Sequence, residues 1–437
     1  MLESLYSDHL QVQRERMDRA LTDCGYESVA IYAGEPRLRF LDDQAYPFRA
    51  NPHFNLWIPL AHAQGSWLIY RPSGRLELLF LQPLDFWHRP PAIPDAFWTQ
   101  HVEVTVLLES SEARAHLRAL PRCAFIGEWD ERFEDYGFAE RNPDELLTRL
   151  HYWRATKTPY EVECLRRASR RGAKGHRAAE AAFRAGASEF AIHLAYLQAC
   201  EHIDEELPYP SIVALNENAA VLHYQHLERL PPEAHRSFLI DAGAEVGGYG
   251  CDITRTYAER SDDFAALIER VDALQRGLCA QVQSGAEYVD IHLNAHRSLA
   301  ALLRDANIIS MDPSDAVATG LSSVFLPHGI GHLLGLQVHD VGGFSIDEKG
   351  TRREKPTEHP YLRLTRTLGP GFVVTIEPGL YFIDSLLEKA RASSLREHIN
   401  WRAVEHFKPY GGIRIEDDVV CTESEPENLT RDAFSRA

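Results

Sequence analysis

SFLIDAGAEVGGYGCDITRTY, residues 237–257, is the stretch that says most about the architecture. Alternation puts Leu239 and Asp241 on one face of its first half, and Asp252, Thr254 and Thr256 on one face of its second. Gly247 and Gly248 mark the turn between them, so a hairpin would bring the two carboxylates together. For either aspartate alone there is a plainer role, such as Asp241 initiating a turn before Ala242-Gly243.

Three later segments carry similar chemistry. In VVTIEPG, Val373, Thr375 and Glu377 share a face, and Pro378-Gly379 ends the strand. In GGIRIEDD (411–418), Arg414 and Glu416 share a face, where an ion pair between them competes with metal binding as an explanation. PHGIGHLLGLQVHD (327–340) offers His328, His332 and His339 among glycines that permit close approach, and spacing alone does not choose among them. Carboxylates set inside apolar strands lose hydration and repel one another unless a cation resolves the conflict. Four carboxylates and one imidazole form an oxygen-rich set with charge enough for two hard or borderline divalent ions. Two-metal sites activate water for hydrolysis.

At the scale of the whole chain, 437 residues leave room for two or three domains, and a formal charge of -18 argues against nucleic acid or anionic membrane as a partner. Seven cysteines without a C-x-x-C pair read as reduced thiols, and the charged N-terminus lacks the apolar core of a signal peptide. No apolar run approaches bilayer length, so the expected location is the cytoplasm, where the Asn428-Leu429-Thr430 sequon is a chance match.

The first third reads as a compact α/β unit. A helical pattern over 4–24 is succeeded by strand-like runs in SVAIYAG, FNLWIPL, GSWLIYR, LELLFLQP, VEVTVLL and CAFIGEW. A boundary falls near 154–158, where Thr158-Pro159-Tyr160-Glu161 forms a capping box with proline at the first helical position. Gly186 ends that helix and Ser188 begins another through about 204. Strands are expected at 211–215, 221–224 and 237–259, helices at 262–283 and 289–306, and strand-rich chain from about 323 onward. Two patterns mislead. His292 and His296 stand four apart as zincin ligands do, but Leu293 replaces the required glutamate, so they read as surface or capping histidines. Gly329–Gly335 lacks dinucleotide spacing, and no G-x-S-x-G nucleophile motif occurs.

The ordered set Asp241, Asp252, His332, Glu377, Glu416 resembles the pita-bread metallopeptidases, which include prolidases, aminopeptidases P, methionine aminopeptidases and the metal-free creatinases. The likeness is greatest to bacterial Xaa-Pro dipeptidases, a group that includes organophosphorus acid anhydrolases. It runs through FLDD (40–43), ALNENAAVLHYQH (214–226), PHGIGHLLGLQVHDVGGF, TIEPGLYFIDSLL and KPYGGIRIEDDVV. The resemblance implies an α/β (α+β) chain, with an N-terminal α/β creatinase-like domain over 1–155 and a pita-bread catalytic domain over 156–437. It makes Asp241 a ligand of one metal, lets Asp252 and Glu416 bridge two, and completes the second with His332 and Glu377. The resemblance favours His332 over His328, because the family places a second histidine seven residues after the ligand and His339 stands there. His223 and His339 would contact the substrate, Arg363 its carboxylate, and Asp42 or Asp43 its amine, while Glu377 would also shuttle a proton. Manganese is the implied metal, with cobalt or zinc as substitutes. The implied substrates are Xaa-Pro dipeptides, cleaved by a homodimer whose N-terminal domain helps close the partner's pocket. An aminopeptidase P-type activity and phosphotriester hydrolysis are the alternatives.

Overall fold

The computed structural model describes residues 2–436, which divide into two compact units. One runs up to Arg154 and takes in Thr158–Glu163 and Asp347–Thr351. The other comprises Ala155–Lys157, Cys164–Ile346 and the chain from Arg352 onward.

The first unit is built on a mixed six-stranded sheet. Its spatial order is Val102–Leu107, Leu76–Leu81, Trp67–Tyr70, Ser28–Tyr32, Cys123–Ile126 and Glu140–Arg141. Most of these strands are β-branched or aromatic and lie buried, and Trp67 packs edge-on against Phe133 with ring centroids 4.9 Å apart. Helix Leu2–Cys24 buries Tyr6, Leu10, Met17 and Leu21. FNLWIPL is not the strand its composition predicts. Asn51 accepts from the His53 N–H at 2.8 Å and Pro52 occupies the first turn, so Pro52–Asn55 becomes a helix instead. The capping box is present: the Thr158 N–H donates to Glu161 at 2.8 Å, and the Glu161 N–H to Thr158 Oγ1 at 3.4 Å. It opens helix Pro159–Arg184.

The second unit holds two three-stranded antiparallel sheets. In one, Ser237–Asp241 lies between Ile212–Leu215 and Thr254–Ala258; in the other, Asp417–Val420 lies between Val373–Ile376 and Glu427–Asn428. Helices Asp263–Cys279 and Tyr288–Asp305 bury Phe264, Leu267, Val271, Ile291 and Leu299 in the same core as Val374, Ile376 and Ile415. Two expectations are corrected here. Residues 221–224 form no strand, because side chains rather than a ladder satisfy that stretch: the Tyr224 hydroxyl donates to the buried Glu189 at 2.8 Å. The chain after 323 is less strand-rich than its composition predicts. Residues 326–372 are largely irregular, and helices Asp384–Arg391 and Trp401–Phe407 separate the later strands. No helix among the described residues is long and apolar enough to cross a membrane.

Candidate metal centre

The 237–257 stretch folds as a nested hairpin. Glu245–Val246 and Tyr249–Gly250 pair around Gly247 and Gly248, both at positive φ (63° and 87°), as a two-residue turn of this kind requires. Beyond it the outer strands pair with Asp241 opposite Thr254, which places Asp241 and Asp252 at the same end of the sheet. A bridge from Thr254 to Glu416 then connects this sheet to the C-terminal strands. The loop carrying His332 is tied to strand Val373–Ile376 by the Thr375 N–H donating to the His332 carbonyl at 3.0 Å. The Glu377 N–H donates to the Ile330 carbonyl at 2.8 Å. Gly331 makes this approach feasible, because a β-carbon there would collide with the Thr375 carbonyl and the Tyr288 hydroxyl.

These ties bring the sequence-predicted side chains together. One ligand atom each of Asp252, His332 and Glu416 lies within 4.8 Å of the other two. His332 Nε2 is 3.4 Å from Asp252 and 3.9 Å from Glu377. His332 Nδ1 lies 3.0 Å from the Leu333 carbonyl, and with Nδ1–H donating to that oxygen Nε2 keeps its lone pair facing the carboxylates. Asp241 joins the group through Arg414, whose guanidinium donates to Asp241 Oδ2 at 2.7 Å. Arg414 thus pairs with Asp241 rather than with Glu416, the rival to metal binding at that residue, and Glu416 accepts from the Thr254 hydroxyl at 2.7 Å. Asp252 is fixed by the Tyr209 hydroxyl at 2.6 Å. Glu416 points into this cluster while the next residue, Asp417, pairs with Arg255 and Arg431, each at 2.7 Å.

The electrostatics are those of a site short of positive charge. Burial, then repulsion from Asp252, Glu377 and Asp241, drives Glu416 well above the usual carboxylate range. Burial lifts Asp241 despite Arg414, and pushes Glu377 up to about 7. Burial acts to raise Asp252 as well, but the neighbouring His332 holds it below its ordinary value. His332 in turn is raised against its own burial by that partner. Asp241 Oδ1 is buried with no hydrogen-bond partner. Oxygen donors that repel one another, an orphaned carboxylate oxygen and a lone pair on His332 Nε2 are what divalent cations fit.

Around the cluster stand three more histidines. His328 Nε2 lies 2.9 Å from the Tyr381 hydroxyl, which accepts from Arg414 at 3.0 Å, and His328 Nδ1 lies 2.8 Å from the Gly329 carbonyl. Both ring nitrogens of His328 are thus occupied, unlike those of His332. His339 packs edge-on against His332 with centroids 4.4 Å apart, and burial keeps its imidazole neutral with a pKa of about 4. His223 and Arg363 are exposed, and both lie within electrostatic reach of His339. Asp43 lies on an exposed stretch of the first unit, accepting from the Gln44 side chain at 3.1 Å. Sequence reading missed Tyr209, Tyr381 and Glu189. Tyr209 sits in LPYPS with no periodicity to mark it. Glu189 anchors the His223 segment through the N–H groups of Leu215 and Glu228 (2.9 and 2.8 Å) and through Asn218, but in the sequence it looks like an ordinary first-turn acid. His292 and His296 are not the surface or capping residues expected, since each is only 1% exposed.

Known proteins resemble this chain over nearly its whole length. Residues 4–152 match the family described as Xaa-Pro dipeptidase, N-terminal domain, and residues 163–423 match metallopeptidase family M24. An Xaa-Pro dipeptidase of Stenotrophomonas maltophilia is 50% identical over 436 residues, covering 99% of this chain and 98% of that protein. One from Xanthomonas euvesicatoria pv. vesicatoria is 48% identical over 438 residues, covering 100% and 99%. Among solved structures, zinc-substituted Escherichia coli aminopeptidase P in complex with product superimposes with a TM-score of 0.72 at 23% identity, over 96% of this chain and 95% of that one. Pseudomonas aeruginosa aminopeptidase PepP gives 0.73 at 20%, over 99% and 98%. At that identity the last two speak for the fold alone.

Proposed function

Because this chain belongs to metallopeptidase family M24 and carries the N-terminal domain of Xaa-Pro dipeptidases, we propose that it hydrolyses Xaa-Pro dipeptides to a free amino acid and proline. The observation that carries this reading is the convergence of acids and one imidazole around Asp252, His332 and Glu416. Asp241, Asp252, His332, Glu377 and Glu416 would hold two divalent ions, with Asp252 and Glu416 shared between them. The oxygen-dominated donor set favours manganese. When bound, such a pair supplies Lewis acidity at the scissile carbonyl and activates water.

The chain's own side chains supply the rest. An Xaa-Pro bond is a tertiary amide with no N–H, so recognition relies on its carbonyl and its termini. His339, neutral at physiological pH, has one ring N–H to donate, and with His223 it stabilises the carbonyl oxygen as negative charge develops there. Glu377, set among the acids that would hold the metal, would relay a proton to the departing proline nitrogen. The exposed guanidinium of Arg363 pairs with the proline carboxylate, which selects dipeptides over longer chains. We also assign the protein to the cytoplasm, consistent with seven cysteines that form no disulfide, and to a homodimer, as the resemblance implies.

Removing metal with a chelator and adding back manganese, cobalt or zinc singly, against Xaa-Pro dipeptides, tests this directly. Full activity after exhaustive chelation would end the proposal. The same panel should include an Xaa-Pro-Yaa tripeptide and a phosphotriester, the substrates of the two alternative activities. Arg363→Ala should weaken dipeptide hydrolysis by about 10- to 100-fold, the worth of a charged hydrogen bond, with much less effect on the C-terminally amidated analogue. Equal losses on both substrates would rule out the carboxylate clamp.

A further inference from the structure

Three other histidines meet in the second unit, within electrostatic reach of His328. His292 and His296 stand one turn apart on helix Tyr288–Asp305, and His359 reaches them from the irregular segment that also carries Arg363. The rings lie against one another, with centroids 4.7 Å apart for His292 and His296. His359 is 4.5 Å from His292 and 4.6 Å from His296. His292 and His296 are each 1% exposed and His359 is 9% exposed. Both ring nitrogens of His292 and Nε2 of His296 are buried with no hydrogen-bond partner. Leaving a buried polar group in that condition is destabilising, so three at one place call for a ligand.

We propose that His292, His296 and His359 form a second metal site, separate from the carboxylate cluster, that takes a borderline divalent cation of which zinc is the representative. One nitrogen from each ring lies within 4.8 Å of the other two. Zinc–imidazole bonds of about 2.0–2.1 Å would draw these nitrogens together through small ring rotations. His296 Nδ1 lies 3.0 Å from the Ser322 hydroxyl, which orients the ring and leaves Nε2 for the cation. Burial, helped by repulsion among the rings, keeps the imidazoles neutral and ready to ligate: His292 falls to about 2 and His296 to about 3. His359 is lowered by burial against the charge of Glu358. His359 is the least buried of the three and marks the side from which an ion and a fourth, water or carboxylate, ligand would enter.

An all-imidazole set suits zinc or copper, whereas the oxygen-rich cluster suits manganese, so one chain would hold two centres of different preference. A cation here would also fasten helix Tyr288–Asp305 to the segment bearing Arg363.

Anomalous diffraction at the zinc edge, from crystals of the whole protein grown with manganese and then given zinc in excess, tests the site without reliance on activity. A zinc peak enclosed by the three imidazoles is expected, and its absence would overturn the proposal. In solution, His359→Gln should bind one fewer zinc per chain than the wild type, with an unchanged circular dichroism spectrum. An equal zinc count in the two proteins would overturn the assignment as well. If the variant fails to fold, the wild-type map decides alone.

Discussion

Glu416→Gln should cut kcat/KM for an Xaa-Pro dipeptide by about 1000-fold, since several kcal/mol of transition-state stabilisation depend on the charge this carboxylate holds in place. It should also lower the number of manganese ions retained per chain. Stability should move the other way in chelated protein. The carboxyl of Glu416 is raised by burial and by three acidic neighbours, so its ionised form costs folding energy as pH climbs above the ordinary carboxylate value. The amide removes that cost and still accepts from the Thr254 hydroxyl. The expected pattern at neutral pH is therefore an inactive enzyme that is no less stable, or more stable, in chelator. Normal turnover with full metal content would refute the assignment. Loss of both activity and apo stability would make Glu416 a structural residue.

Arg414→Met should have the largest effect on the fold of the site. The guanidinium is buried, donates to Asp241 at 2.7 Å and reaches the Tyr381 hydroxyl at 3.0 Å. Removing one partner of a buried ion pair costs about 3–5 kcal/mol when the other charge is left uncompensated. In chelated protein the denaturant midpoint should fall accordingly. Saturating manganese should recover part of the loss, because a cation held by Asp241 supplies the missing compensation. Identical losses with and without manganese would mean that Asp241 does not face a metal.

Much of the site was legible in the sequence because period-two alternation fixes which residues share a face. Asp241 with Leu239 and Thr254 with Thr256 share a face as the pattern predicts, and Gly247-Gly248 marks the turn that pairs their strands, while Asp252 and Glu377 lie just beyond the ends of strands Thr254–Ala258 and Val373–Ile376. The roles within each face were less legible, since they depend on partners distant in sequence. Arg414 pairs with Asp241, 173 residues away, rather than with its near neighbour Glu416. The histidines show the same limit. His332 and His328 have the same residue type, similar glycine-rich neighbours and an Nδ1 against the carbonyl of the next residue, and the Tyr381 hydroxyl at His328 Nε2 is what distinguishes them. His292 and His296 looked superficial because the missing glutamate removed one known motif, and His359 gave no sign that it would join them. FNLWIPL failed for a local reason, as Asn51 and Pro52 start a helix that its aromatic composition does not announce.

Five side chains caging a pair of divalent ions would scatter anomalously at the manganese edge in crystals of manganese-loaded protein. Two peaks about 3.5–4 Å apart are predicted, both lying among Asp241, Asp252, His332, Glu377 and Glu416. A single peak there, or none, would contradict the dinuclear assignment.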